Sequence, residues 1–363
     1  MKRAESEEAP ERDAFAGAPH PRHARRFVGH AAAEAEMLAS YRSGRLAHAW
    51  LIGGPEGVGK ATLAWRFARF LLANPDPAAR SVLDARDLGV DPDQPAARHL
   101  AALAHPDFAL VRREWRPATK TFASEIGVDA VRAAMQIFQL SAAFGGWRIA
   151  IVDCAEDLNR NSANALLKIV EEPPAHSLVL IVSHRPGQVA PTIRSRCRRL
   201  RLDPLSEREI VEILGTLGGP WGEADPAVLS GAASRADGSV REALLSLSAE
   251  MEGIGPLIDR TIAGLPHPDP RAAARLAEAL SARGSEEGLQ AFHRRLCDWL
   301  VGYALKTASS PARVDELGAL WDRVRAAARE TETLNLDRKL YVLAIFEEIA
   351  EVDRRRRVGA HRQ

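Results

Sequence analysis

Between Ala49 and His184 the chain alternates short apolar runs with amphipathic stretches: AWLIGG, ATLAWRFARFLLA, FALVRRE, VDAVRAAMQIFQL, WRIAIVDC, ANALLKIVEE and LVLIVSH. No other feature restricts the fold as much. Unbroken apolar runs of strand length are buried on both faces, and the amphipathic segments between them are the helices that cover those faces. The alternation therefore predicts an α/β domain built on a mainly parallel sheet. From Ser206 onward the strand-like runs stop. Segments such as EREIVEILGTL, SVREALLSLSAEM, PRAAARLAEALSARG, LQAFHRRLCDWLVGYALK and DRKLYVLAIFEEIAEV place apolar residues at helical spacing, so the rest of the chain is expected to be all helical. A Pro/Gly-bearing stretch from Gly264 to Pro270 reads as a hinge between two helical parts.

Composition narrows the function classes. With 49 basic and 48 acidic side chains the net charge is +1, so no overall attraction to nucleic acid or membrane is implied. Lys and Arg are spread along the chain and aromatics make up 6%, with no recognisable base-stacking platform, so direct reading of DNA is not expected. Cys154, Cys197 and Cys297 lie far apart without a CxxC pair, which argues against a disulfide framework and against a thiolate zinc site. The leader lacks the apolar core of a secretory signal, and no apolar run is long enough to span a bilayer. The expectation is a soluble, cytoplasmic protein with no membrane partner and, by composition, a disordered leader over residues 1–25. The 363 residues suffice for two or three domains. The stretch from Asn74 to His105, rich in Pro, Ala, Arg and Asp, reads as a partly ordered insertion.

The densest chemistry lies in GGPEGVGKAT, residues 53–62: Gly54, four residues, then Gly59 and Lys60. Glycines allow successive backbone N–H groups to face an anion at a helix N-terminus while the lysine neutralises phosphate charge, and the order strand, loop, helix is the required context. The residue after the lysine normally supplies a hydroxyl to Mg²⁺, but here it is Ala61. Thr62 lies one residue on and points about 100° further around the helix. The apolar strand RIAIVDC ends in Asp153, where a carboxylate would orient Mg²⁺, yet the next residue is Cys154 rather than a water-activating glutamate. Sequence alone gives that thiol no base, and Glu156 and Asp157 are expected to face elsewhere. Little or no hydrolysis by the chain alone is expected. In RSRCRRLRL, Arg196 is either part of a solvated basic loop or an arginine finger reaching a nucleotide on a neighbouring subunit.

Taken together, GGPEGVGK, DCAEDLNRNSANALLKIVEEPP, TIRSRC and GSVREAL resemble the AAA+ subunits of the bacterial sliding-clamp loader of DNA polymerase III. The resemblance runs by motif from Gly29 to Leu247 and beyond that by architecture alone. It implies an AAA+ phosphate-loop domain with a parallel sheet over residues 26–203, a small helical lid domain over 204–265, an all-helical collar over 266–352 and a basic tail over 353–363. The family's tau/gamma motor carries GKT or GKS, an Asp-Glu pair and a cysteine-ligated zinc module between them. This chain has Ala61, Cys154 and no cysteine between Lys60 and Cys154. It therefore resembles the loader's non-motor subunit, a largely non-hydrolysing stator, and no zinc is implied.

Residue by residue, the resemblance implies a phosphate loop from Gly54, Gly57, Gly59 and Lys60, with Ala61 and Thr62 opening the helix. It places Asp153 at the acidic strand end, Ser183 or His184 at the sensor-1 strand end, and Arg241 as the sensor-2 arginine. Arg196 becomes the arginine finger completing a neighbour's ATP site. ATP or ADP is the implied cofactor, its occupancy left open, with Mg²⁺ not supported. The implied partners are tau/gamma and delta subunits, with the sliding clamp and primed DNA met through the assembled complex. Two rivals stay open: an ATP-hydrolysing motor in which Glu156 and Thr62 stand in for the missing groups, and a phosphate-loop kinase, which leaves the SRC cluster and the helical end unexplained.

Overall fold

The computed structural model describes residues 11, 14, 15, 17–119, 121–251, 253–282, 284–308, 310–334 and 336–360. The chain divides into two compact units, Met1–Arg241 and Glu242–Gln363, a boundary that falls inside the expected lid segment.

The first unit is built on five strands: β1 Ala49–Gly53, β2 Phe108–Val111, β3 Arg148–Val152, β4 Ser177–Ser183 and β5 Arg198–Arg201. They lie in the order β2-β3-β4-β1-β5 and every pairing is parallel, so the expected α/β class is what the chain adopts. Strand residues alternate between two cores, as a period of two requires. Trp50, Ile52, Ile149, Ile151, Leu178 and Leu180 face one side, where Leu63, Phe67 and Phe70 of the helix Lys60–Ala73 cover them. Ala49, Leu51, Ala150, Val152, Val179 and Ile181 face the other, against Val131 and Met135 of the helix Val128–Met135 and Leu166 and Val170 of the helix Arg160–Glu171. The last of these helices starts where Asn159 accepts from the N–H groups of Asn161 and Ser162, and it ends ahead of Pro173. A capping box between Ser206 and Glu209 opens the helix Glu207–Thr216.

Two expectations change here. Residues 74–105 are not a loosely attached insertion, because Val82, Leu88 and Leu100 enter the first core. The tie is electrostatic as well: the buried Glu34 carboxylate accepts from Arg66 Nε at 3.0 Å, Arg66 Nη2 at 2.7 Å and the Leu88 N–H at 3.0 Å. One acid thus joins two helices and the insertion. The leader, expected to be disordered, is packed over its described part, while residues 1–10, 12, 13 and 16 lie outside the described residues. His20 is buried edge-on to Trp65, and Pro21–His23 form a 3-10 turn. Arg69 and Arg66, held inside the helix Lys60–Ala73, need acceptors, and find them in the carbonyls of Arg22, Ala24 and Arg25.

The second unit contains the helices Gly255–Ala263, Pro270–Ser281, Glu286–Thr307, Pro311–Leu334 and Arg338–Ala360, and no strand among its described residues. The basic tail, expected to be a solvated end, continues the final helix to Ala360, with residues 361–363 outside the described ones. Inside that segment Asp353 is fully buried, accepting from Tyr303 Oη at 2.7 Å and Arg357 Nε at 2.7 Å and facing His267 Nε2 at 3.2 Å. Among the described residues no helix is long and apolar enough to cross a membrane.

Candidate functional site

The carboxyl end of β1 delivers Gly54 into a loop that closes at Lys60, the first residue of its helix. Gly54, Gly57 and Gly59 all have positive φ, at 146°, 78° and 100°. Here glycine is required twice over. A Cβ on Gly54 would stand 2.2 Å from the Leu202 carbonyl oxygen, and one on Gly57 would stand 2.1 Å from Ser239 Oγ. Lys60 is only 3% exposed, and its ammonium donates to the Pro55 carbonyl of its own loop. Burial pushes the amine down to about 8, against the pull of Glu56, Cys154, Glu156 and Asp153. A buried cation served by a single backbone carbonyl is what an incoming phosphate would relieve. Ala61 turns its methyl towards the first core, and Thr62 is half-buried on the same first turn.

The segment Gly238–Arg241 lies directly on this loop. The Val240 N–H donates to the Gly57 carbonyl at 3.0 Å, and Arg241 Nε lies 3.4 Å from Glu56 Oε1. Arg241 is thus brought to the phosphate loop and meets a loop carboxylate there.

At the neighbouring strand ends, the Asp153 N–H is held by the Val111 carbonyl at 2.8 Å. Cys154 follows in the left-handed region, at φ 62°, and is 7% exposed. The left-handed residue reverses the chain into the 3-10 turn Ala155–Asp157, and the outcome differs from the sequence expectation in two ways. Glu156 is swung back over the sheet, where Oε1 accepts the His184 N–H at 2.8 Å, instead of facing away. Cys154 Sγ has a base beside it after all, His184 Nε2 at 3.2 Å. Asp157 does turn elsewhere, to Arg113 Nε at 3.1 Å. Ser183 is completely buried and its Oγ accepts the Arg185 N–H at 3.1 Å, so the group that β4 brings to Cys154 is His184. Among the described residues no cluster of three or more His, Cys, Asp or Glu side chains is placed to hold a metal ion.

Arg196 stands apart from all of these. It precedes β5, whose Arg198 pairs with Trp50 and whose Arg201 pairs with Gly53. It therefore lies at the amino-terminal end of the sheet, six residues before Leu202, whose N–H donates to the Gly53 carbonyl. The extended residues from Arg198 to Leu202 alone put about 13 Å between the start of β5 and the phosphate loop. Its exposed guanidinium pairs with Glu171 Oε1 at 2.7 Å and donates to the Thr192 carbonyl at 3.0 Å. The adjacent Cys197 is ordinary packing, its thiol pushed up to about 11 by burial.

Residues 29–206 match the family model described as DNA polymerase III, delta subunit. The chain is 38% identical over 164 residues, 45% of each chain, to DNA polymerase III subunit delta' of Pseudomonas aeruginosa. It is 32% identical over 176 residues, 48% of each chain, to the delta' subunit of Escherichia coli K12. To DNA polymerase III subunit gamma of Buchnera aphidicola it is 28% identical over 232 residues, 64% of this chain and 59% of that one. The chain thus matches about half the length of the delta' relatives.

Proposed function

We propose, from the match of residues 29–206 to the family model described as DNA polymerase III, delta subunit, and from the likeness to the delta' relatives, that this chain is a delta'-like subunit of a bacterial clamp loader. In this reading it is a stator that hydrolyses little or no ATP itself. It joins tau/gamma and delta subunits in loading the sliding clamp onto primed DNA, and Arg196 completes the ATP site of the adjacent subunit. The observation that carries the reading is the placement of Arg196. It is exposed, lies at the end of the sheet opposite the chain's own loop, and is held by a half-exposed carboxylate, so it is available to a neighbour rather than to the chain's own nucleotide.

The loop's donor set fits phosphate groups. Left-handed glycines and the buried Lys60 would cradle the phosphates of ATP or ADP, and Arg241 would close over them from the lid segment. It does not fit metal-assisted hydrolysis: Ala61 has no hydroxyl for Mg²⁺, and a thiol follows Asp153 where a catalytic carboxylate would stand. The chain's own residues would hold a nucleotide in place without activating water.

One observation favours the motor reading. Glu156 lies at the carboxyl end of the sheet, against His184 and near Lys60, where a water-activating acid would be useful. Only Oε1 of that carboxylate is taken by the His184 N–H, and the reading ranks second because Ala61 offers no hydroxyl to a metal and Cys154 follows Asp153. ATP binding and hydrolysis by the purified chain, alone and then with tau/gamma, delta and primed DNA, tests both. Silence alone with Arg196-dependent turnover in the complex supports the stator. Turnover by the isolated chain that requires Lys60 and Glu156 overturns it.

A further inference from the structure

Cys154 has no part in the function proposed above, yet its surroundings are those of a working thiol. Sγ lies 3.2 Å from His184 Nε2, within reach of proton transfer from S–H to the imidazole. The left-handed backbone at Cys154 fixes the thiol at the ends of β3 and β4, close enough to the buried Lys60 for the two charges to interact. The same lysine also interacts with Asp153 and Glu156, so groups of both signs gather at these strand ends.

The other two thiols are useful contrasts. Among the described residues no imidazole is hydrogen-bonded to Cys197, and burial pushes it up to about 11. Cys297 does approach a histidine, but His293 Nε2 stands 3.7 Å away and the His293 ring is already engaged by Tyr341 Oη at 3.1 Å. Burial, with Asp298 beside it, pushes that thiol up to about 11 as well.

We propose that Cys154 is a site of oxidation by hydrogen peroxide, with His184 as the group that takes the thiol proton. The Cys154 thiolate attacks one peroxide oxygen, forming an S–O bond and breaking the O–O bond. The sulfur is oxidised by two electrons to a sulfenic acid, and the departing hydroxide takes the proton from the His184 imidazolium and leaves as water. The product places a new polar group beside Lys60. The proposal stands whether or not the loop takes nucleotide.

The test is to treat the folded full-length chain with hydrogen peroxide, trap sulfenic acid with dimedone, and read each cysteine by peptide mass spectrometry. Labelling of Cys154 at least about tenfold ahead of Cys197 and Cys297 is expected, falling about tenfold or more in His184→Gln, with circular dichroism confirming that the variant is folded. Because a buried thiol could also become reactive through local opening, opening is read separately, by backbone amide hydrogen exchange around Cys154 in both proteins. Loss of the peroxide rate with unchanged hydrogen exchange supports proton transfer to His184. Labelling led by Cys197 or Cys297, no labelling of Cys154 in the folded chain, or an unchanged rate in His184→Gln would overturn it.

Discussion

The two ends of the sheet carry their cations in opposite ways. At the carboxyl end Lys60 is buried, its ammonium folded onto a carbonyl of its own loop and its charge disfavoured by burial. At the amino end Arg196 is exposed and held by Glu171, a partner that is itself half-exposed. The first arrangement binds inward and the second reaches outward. In an assembly, one chain could give up the chemistry of its own pocket and keep the contribution it makes to another's, because the two cations share no side chain and no loop.

The contrast breaks most decisively at Arg196. In a reconstituted complex Arg196→Ala should lower ATP turnover at the adjacent site by about a hundredfold or more while leaving assembly intact, as steady-state turnover and gel filtration would report. Unchanged turnover would reduce the outward cation to a surface ion pair.

Lys60→Met tests the inward cation through stability. A base held at about 8 when folded but near its usual 10.5 when unfolded binds fewer protons in the native state. Native stability therefore rises with pH across that window. Removing the charge should raise stability at pH 7 by up to about 3 kcal/mol, with the gain shrinking as pH climbs from 8 towards 10.5, read from urea midpoints. A loss of stability would mean that Asp153 and Glu156 depend on the ammonium more than burial disfavours it.

A smaller effect is expected where the lid segment meets the loop. Gly57→Ala adds a methyl in the left-handed region against Ser239 and should cost about 1–2 kcal/mol, seen as a lowered Tm. The smallest concerns Glu171→Gln. That pair is half-exposed, so its loss should change stability by under about 1 kcal/mol while leaving Arg196 free for a partner.

Four of the sheet strands are legible in the sequence because AWLIG, FALV, RIAIV and SLVLIVS are apolar enough to be recognised without their partners. β5 is not. Its RRLR buries one side chain, Leu200, and gains strand geometry only by pairing with β1, so its arginines read as a basic loop. The short hairpin pairing Trp115 with Phe122 escapes for the same reason. In the site, the phosphate loop is visible because its residues are consecutive, whereas the Cys154–His184 contact joins residues 30 apart. Its trace in the sequence is that RIAIVDC and LVLIVSH both end in a polar residue, and the β3–β4 register, with Val152 beside Ile181, turns that similarity into proximity. The role of Glu34 was hidden more deeply, since nothing in AAAEAEML distinguishes the acid that goes inward from the one that stays outside.

The arginines of β5 have one more consequence. This strand is an outer edge of the sheet, the position where an extended chain can add. Arg198 is paired with Glu36 and Arg201 with Asp203, which leaves Arg199 as the strand's main charge against a second copy docking strand to strand, since charges on an edge disfavour such pairing. The edge is thereby protected against fibrous self-association during synthesis and folding, when such edges are most exposed.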